Sequence, residues 1–296
     1  MSSKTMARFA TVGILFALGC GGAAVEEAGQ DDLGVSSASF LLVEHDDRAC
    51  PSPACGGYWV APIGNPAARR YVRGFDLSKS GLGAADAAII TGAPAEELLL
   101  KGYPGAPDAK GTRALVVVEA YRGMPGIVPG ANEALYSVAG AVQCVKAPCN
   151  DALVKPLAGG QASTVAAVNV ARAAKSFVDQ GWLASRVRSG RAVVAARMTG
   201  AASGGTVLDS SQVYVRVPEA SGPCPKPISL SCGSGQVATY SRTAERCLVP
   251  SVCVTLRTCP MMQPACADGY VAASWRTAPD GCAATVCDPA WLAPAR

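Results

Sequence analysis

Several things are scarce in this chain of 296 residues, and each scarcity narrows what it can do. Histidine occurs once, at His45, so any catalytic arrangement that needs an imidazole must use that residue. Charged residues make up only 16% of the sequence, and the formal net charge is +4. No run of lysine or arginine is interleaved with aromatic residues, as it is in nucleic-acid-binding surfaces, so we expect no nucleic-acid partner.

Recognisable catalytic motifs are absent as well. No Gly-x-Ser-x-Gly elbow, Ser-x-x-Lys or His-Glu-x-x-His occurs. His45 lies within the sequence Glu-His-Asp-Asp, which allows either a metal or acid–base site or a solvated polar turn. We favour the turn, because the second half of the chain has no histidine at the matching place. The sequence therefore predicts a protein that is not an enzyme and holds no metal or cofactor. A hydrolase depending on His45 is a lesser alternative.

Cysteine, in contrast, is abundant, with 13 residues. The chain begins with a basic segment and a short apolar run, Phe9–Leu18, which is too short to span a bilayer and predicts a signal peptide over residues 1–19. Ala-Leu-Gly-Cys at positions 17–20 resembles a bacterial lipobox, although its leucine is one position late. We expect Cys20 to be lipidated, which leaves twelve cysteines to pair. Ordinary secretion with cleavage near Ala23 is the alternative.

The location follows from this leader. Residues 20–38 are small, acidic and aperiodic after the cysteine, which is typical of a flexible tether. We expect an exported protein held by a lipid anchor in the outer membrane, periplasm or cell surface. Its partners would be the membrane, through that anchor, and an unknown protein or other component of the envelope.

The middle of the chain contains an internal repeat. The segment CPSPACGGYWVAPI starts at Cys50 and includes Cys55, and CVKAPCNDALVKPL starts at Cys144 and includes Cys149. Both contain a Cys-x4-Cys pair followed by Val-x-Pro-apolar. Upstream, FLLV at 40–43 aligns with ALYS at 134–137. We predict a duplicated domain over residues 39–218, with copies at 39–133 and 134–218.

Each copy is predicted to contain three strands, a helix and a further strand, (β-β-β-α-β)×2. In the first copy the helix is expected around Pro94–Lys101, ending at Gly102. In the second it is expected within SFVDQGWLASRVRSG, with Ser176 as N-cap and Gly190 as stop. RAVVAARMTG, from Arg191, is aligned with RALVVVEAYRG, from Arg113. A last strand, SSQVYVRVPE, closes the domain.

Two short cysteine-rich modules follow, at residues 219–256 and 257–296. Each opens with Cys-Pro and is too small to be stabilised by a hydrophobic core, so disulfides are expected. Four cysteines allow three pairings, and the sequence does not choose among them. The four cysteines of the first module are Cys224, Cys232, Cys247 and Cys253, and those of the second are Cys259, Cys266, Cys282 and Cys287.

The four cysteines of the repeat allow two interpretations. They could form a four-thiolate zinc site shared by the copies, or structural disulfides. An oxidising compartment and the four-residue spacing favour disulfides. In the modules, one exposed basic side chain could enter a protease's specificity pocket, which makes a protease inhibitor the alternative function. The candidates for that role are Arg242, Arg246, Arg257 and Arg276.

The motif Cys-x4-Cys-Gly-Gly-Tyr-Trp-Val at 50–60, with the second Cys-x4-Cys, resembles an uncharacterised domain family of exported bacterial lipoproteins, common in myxobacteria-type genomes. The resemblance covers roughly residues 38–218 and implies no activity. CADGYVAASWRTAPDGCAATVC in the second module is similar to antistasin-like repeats, which have more cysteines. The sequence thus predicts a β-rich α+β fold with a duplicated domain and two disulfide-rich β modules, whose role is binding or structural.

Overall fold

We describe the protein from a computed structural model. The described residues are 38–49, 55–130, 132–140, 152–200, 204–219, 224, 226, 229–259 and 264–292. The predicted signal peptide, Cys20, almost all of the tether, Cys50, Cys144 and Cys149 lie outside these residues. None of the helices in the described ranges has the length and apolar character needed to span a membrane.

Two series of elements repeat between residues 39 and 217. The first series has four strands, a helix and two long strands: β1 Ser39–His45, β2 Tyr58–Pro62, β3 Arg70–Val72, β4 Phe75–Asp76, α1 Ala84–Thr91, β5 Leu98–Pro107 and β6 Arg113–Gly123. The second series has the same order: β7 Ala134–Gly140, β8 Ala152–Pro156, β9 Ser163–Val165, β10 Ala167–Asn169, α2 Gln180–Arg188, β11 Ala192–Gly200 and β12 Thr206–Val217.

All twelve strands form one sheet. The order of the strands in the second half mirrors the order in the first half. The main path runs β3-β2-β1-β5-β6-β12-β11-β7-β8-β9, while β4 and β10 pair in parallel with β6 and β12. The two halves meet where β6 and β12 run antiparallel, with Arg122 opposite Val215. Tyr121 and Tyr214 lie at equivalent places on either side of that pair. The predicted β-rich, internally duplicated fold is confirmed, but each series has four strands before the helix and two after it, where three and one were predicted.

The structure corrects the predicted helix of the first copy. Leu98–Leu100 form part of β5, between β1 and β6, and the helix is the preceding segment Ala84–Thr91. Although AEELLLK has a high helix propensity, pairing on both sides and burial of all three leucines favour the strand. In the second copy α2 begins later than predicted, because Asp179, not Ser176, is its N-cap and accepts a hydrogen bond from Trp182 N at 3.0 Å.

The alignment of the copies also needs two corrections. β11, which covers RAVVAARMTG except for its first residue, pairs with β7 as β5 pairs with β1. It therefore corresponds to β5 and not to β6. Upstream, Phe40 corresponds to Leu135 and not to Ala134. Ile63 N donates to Phe40 O at 3.0 Å, and Leu157 N donates to Leu135 O at 2.8 Å. A shift of one residue matters because it exchanges the faces of a strand.

The centre of the sheet is buried on both faces. On one face Ile90 of α1 joins a cluster in the first half, and Trp182 and Leu183 of α2 join a cluster in the second half. Alternate residues of the same strands form a third cluster on the opposite face, with Leu99, Tyr121, Leu135, Val193, Ala195 and Tyr214 at its centre. Ile63 and Leu157, which end the two Val-x-Pro-apolar motifs, pack against this third cluster.

Each C-terminal module is a two-stranded hairpin. The strands are β13 Gln236–Arg242, β14 Leu248–Thr255, β15 Tyr270–Arg276 and β16 Ala283–Pro289. In both modules the first cysteine pairs with the third and the second with the fourth: Cys224–Cys247, Cys232–Cys253, Cys259–Cys282 and Cys266–Cys287. The sequence separations of 23 and 21 residues recur in each module. Four disulfides indicate an oxidising compartment outside the cytosol.

Candidate functional site

A buried carboxylate organises the surface at one edge of the first half. Asp46 directly follows β1, and its side chain is 1% exposed. It accepts hydrogen bonds from Arg48 Nε at 2.7 Å, from Arg48 Nη2 at 2.8 Å and from Trp59 Nε1 at 3.2 Å. The Arg48 hydrogen bonds, assisted by that of Trp59, lower the pKa of Asp46 to about 2 against the opposing effect of desolvation. Asp46 therefore holds both side chains in place as an ion.

Aromatic rings and guanidinium groups adjoin this carboxylate. Arg48 and Arg69 lie 5.0 and 4.8 Å from the centroid of the Trp59 ring, and Tyr71 meets the same ring edge-on at 5.6 Å. Arg69 also pairs with Glu44 at 2.8 Å. We call this surface the Trp59 platform: Glu44, Arg48, Trp59, Arg69 and Tyr71. The arginine side chains remain 52% and 41% exposed.

The Gly-Gly-Tyr-Trp sequence explains how β2 reaches this geometry. Gly56 has a φ of +81°, a conformation that suits glycine. A Cβ on Gly57 would lie 2.3 Å from Val72 O, so only glycine allows β2 to approach β3 so closely. The resulting register places Trp59 opposite Tyr71 and Glu44. Tyr58 points to the other face, where it stacks on Phe75 at 4.4 Å.

The second half provides an internal comparison. Leu153 takes the place of Trp59, because it lies opposite Ala139 and Thr164 just as Trp59 lies opposite Glu44 and Tyr71. The buried valines on the other face are retained, since Val43, Val60 and Val72 correspond to Val138, Val154 and Val165. The two halves thus share their core and differ at the platform.

His45 ends β1 on the face opposite the platform, where its ring meets Tyr58 edge-on at 5.6 Å. Its side chain is 53% exposed, and its Nδ1 is 2.9 Å from the 92% exposed Asp47. Within the described ranges, no group of three His, Cys, Asp or Glu side chains lies close enough to hold a metal ion. Cys55 is buried and disulfide-bonded, so it is not a thiolate ligand; the other three cysteines considered for zinc lie outside those ranges.

Two of the four arginines that were predicted to be exposed are buried. The side chains of Arg242 and Arg246 are 3% and 4% exposed, not at the surface as predicted. Arg242 Nη2 lies 2.6 Å from Asp288 of the second module, and its Nη1 lies 3.2 Å from Asp179 of the sheet region. Neither arginine can enter a protease pocket. Arg276 is exposed, and Arg257 is 77% exposed beside Asp280.

Arg246 completes a buried ionic cluster. It lies 3.4 Å from Asp288 and 3.6 Å from Glu219, and Glu219 Oε1 accepts from Trp182 Nε1 at 3.0 Å and from Arg186 Nε at 2.5 Å. We call this set the junction cluster: Asp179, Arg186, Glu219, Arg242, Arg246 and Asp288. Its three positive and three negative charges balance. Because the cluster joins α2 to both hairpins, it fixes the modules to the sheet region.

The sequence predicts neither the Trp59 platform nor the junction cluster. The Gly-Gly-Tyr-Trp motif did mark the platform, but the role of Asp46 depends on a contact across 13 residues. The junction cluster joins residues up to 109 positions apart, Asp179 and Asp288, and has no local signal.

Comparisons with known proteins give a relative and a family. An uncharacterised protein of Dictyostelium discoideum is 32% identical over 118 residues, which cover 39% of this chain and 40% of that protein. The chain therefore spans less than half the length of this relative. No solved structure matches the chain. The model of the family described as a domain of unknown function, DUF6748, matches residues 39–220, which include both halves of the sheet, the Trp59 platform and Glu219. The chain belongs to this family, which confirms the predicted resemblance to an uncharacterised domain family.

Proposed function

We propose that the protein is an exported, lipid-anchored binding protein of the cell envelope or surface, which recognises a protein partner through the Trp59 platform and performs no catalysis. The observation that supports this most strongly is the difference between the halves. Packing explains why the buried valines recur, but it does not require Trp59 and Tyr71, because Leu153 and Thr164 serve the same sheet positions in the second half.

The composition of the platform favours a protein partner. Tryptophan, tyrosine and arginine are the residues most enriched among those that dominate protein–protein binding energies. Leu42 lies on the same face of β1 as Glu44 and is 44% exposed, which adds an apolar surface beside the rings. Because Asp46 already fixes Arg48 and Trp59, a partner would lose little side-chain entropy on binding.

Site-specific cross-linking would test this role. A photoreactive amino acid at position 42 of the full chain, expressed in the producing cell, should form a discrete adduct with one partner. The adduct should be lost in Trp59→Leu, which installs the residue of the second half, and retained in the matched control Leu153→Ala. Equal adduct yields in wild type and Trp59→Leu would rule out the platform. Adduct formation should also survive His45→Ala, since the histidine has no part in the proposal.

The lipid anchor is supported by the leader and by Cys20 in Ala-Leu-Gly-Cys. Intact mass of the native protein should correspond to a chain that starts at Cys20 and carries a diacylglycerol and a fatty acyl group. Cys20→Ser should appear in the soluble fraction without that mass. An unmodified chain that starts near residue 24 would instead indicate ordinary secretion.

A further inference from the structure

The charges of the Trp59 platform and of its buried carboxylate, Asp46, balance, but they are not equally exposed. Asp46 is 1% exposed, whereas the Arg48 side chain that it binds is 52% exposed. The second ion pair joins Arg69, which is 41% exposed, to Glu44, which is 68% exposed. The accessible charge of the platform therefore consists of two guanidinium groups and one carboxylate, which is an excess of positive charge.

Glu44 is the exposed carboxylate of the platform, and it is weakly bound. An ion pair between two exposed side chains contributes little free energy, so another carboxylate can replace Glu44 at Arg69 at small cost. Asp47 does not compete for Arg69, because it is hydrogen-bonded to His45 on the opposite face of β1. Arg69 is therefore a cation from which the present partner is easily displaced.

Lys101 adds a cation on the same face, at the other end of β1. Phe40, Leu42 and Glu44 alternate along this face. Lys101 lies opposite Phe40, with its Nζ 5.6 Å from the ring centroid. Its carboxylate partner, Glu119, is the less exposed of the two side chains, at 21% against 32%. Leu42 therefore lies between two cationic positions, and the part of β1 from Phe40 to Glu44 spans about 13 Å.

We propose that the protein partner binds through an acidic segment, an inference that rests on the proposed function. An apolar side chain of this segment packs against Leu42 and Trp59, and an aspartate or glutamate beside it replaces Glu44 at Arg69. A guanidinium can bind such a carboxylate through two parallel hydrogen bonds. The excess of accessible positive charge also favours encounter with an acidic partner over a basic one.

The composition of the cross-linked peptide gives the first test. The adduct formed by a photoreactive amino acid at position 42 of the full chain is digested, and the peptide of the partner that carries the cross-link is sequenced by mass spectrometry. Within about five residues of the cross-link, aspartate and glutamate should outnumber lysine and arginine. A peptide without this excess, or an adduct with a polysaccharide, would overturn the inference.

Two neutralising variants should change the adduct yield in opposite directions when the partner does not saturate the protein. Arg69→Gln removes the group that binds the partner's carboxylate, so the yield should fall at least about fivefold. Glu44→Gln removes the competing carboxylate, so the yield should rise by about two- to fivefold. The matched control is Arg70→Gln, since Arg70 is exposed but lies opposite the buried Val60 on the other face of β3. It should leave the yield unchanged.

Trp59→Leu separates this inference from the proposed function. If Trp59→Leu abolishes the adduct but Arg69→Gln does not lower the yield, or Glu44→Gln lowers it, the platform binds a partner and the acidic segment is wrong. If Trp59→Leu leaves the yield unchanged, the proposed function fails and the inference fails with it.

Discussion

Trp59 and Leu153 occupy equivalent places in the two halves of one sheet. Each is the second residue of its strand, and each lies between one residue of the first strand and one of the third, Glu44 and Tyr71 or Ala139 and Thr164. The same backbone arrangement thus carries a tryptophan contacted by two arginines in the first half and a leucine in the second half. The second half shows that the fold does not need a tryptophan at this place. The aromatic and arginine side chains of the first half therefore go beyond what the fold requires.

Replacing Trp59 and Tyr71 by their second-half counterparts should cost less stability than a substitution in the core. Three cation–π contacts join Arg48 and Arg69 to these two rings, and each is worth about 0.5–1 kcal/mol at an exposed site. Trp59→Leu with Tyr71→Thr should therefore lower the free energy of unfolding by about 1.5–3 kcal/mol. Leu98→Ala, at a fully buried position of β5, should lower it by about 2–5 kcal/mol. Urea denaturation of both variants gives the comparison. A double variant as unstable as Leu98→Ala would show that the platform is part of the core.

Asp46 should make stability depend on pH in acid. Its pKa is about 2 in the folded protein, against an ordinary value of 3.8, so folding favours the ionised form. The resulting stability is fully present above about pH 5 and is lost as pH falls through 3.8 towards 2. The difference in free energy of unfolding between the wild type and Asp46→Asn should therefore be constant near neutrality. It should decrease as the pH falls from about 5 to 2. A difference that stays constant down to pH 2 would contradict the ionised contact.

Arg246 should matter far more than Arg276. Arg246→Ala leaves Glu219 and Asp288 without one of their buried partners, which typically costs about 3–5 kcal/mol. Arg276→Ala at the surface should change stability by less than about 0.5 kcal/mol. Amide hydrogen exchange should show faster exchange in α2 and in both hairpins for Arg246→Ala alone. Equal protection in the two variants would show that the modules are not held by the junction cluster.

The disulfides should follow one pairing pattern in both modules. Peptide mapping without reduction should recover Cys224–Cys247 and Cys232–Cys253, and the corresponding pairs of the second module. Replacing Cys232 and Cys253 together by serine removes a bridge over 21 residues and should cost about 3 kcal/mol. Recovery of Cys224–Cys232 would contradict the fold of the first module.

Much of the fold could be predicted, because strand alternation and the repeated Val-x-Pro-apolar motif are local signals. The predicted last strand, SSQVYVRVPE, lies within β12 as far as Val217. The predictions are wrong where pairing between strands that are distant in the sequence determines the structure. Leu98–Leu100 form a strand only because β1 and β6 flank them. The correspondence of β11 with β5 depends on which strand each one pairs with, and similar Ala- and Val-rich segments conceal that.

The site was less predictable, since its chemistry depends on distant contacts. Arg242 and Arg246 resemble exposed basic residues of a small disulfide module. Only the docking of both hairpins onto α2 shows them to be buried beside Asp288 and Glu219. His45, the residue that drew attention as the only histidine, lies exposed beside Asp47.

The most direct test of the account is the cross-link yield from position 42 in the producing cell, compared between the wild type and the Trp59→Leu/Tyr71→Thr double variant. Loss of contacts that dominate a binding energy costs at least about 2 kcal/mol. When the partner does not saturate the protein, the cross-link yield should therefore fall by more than about tenfold. The double variant should remain folded. An undiminished yield to the same partner would contradict a binding role for the Trp59 platform.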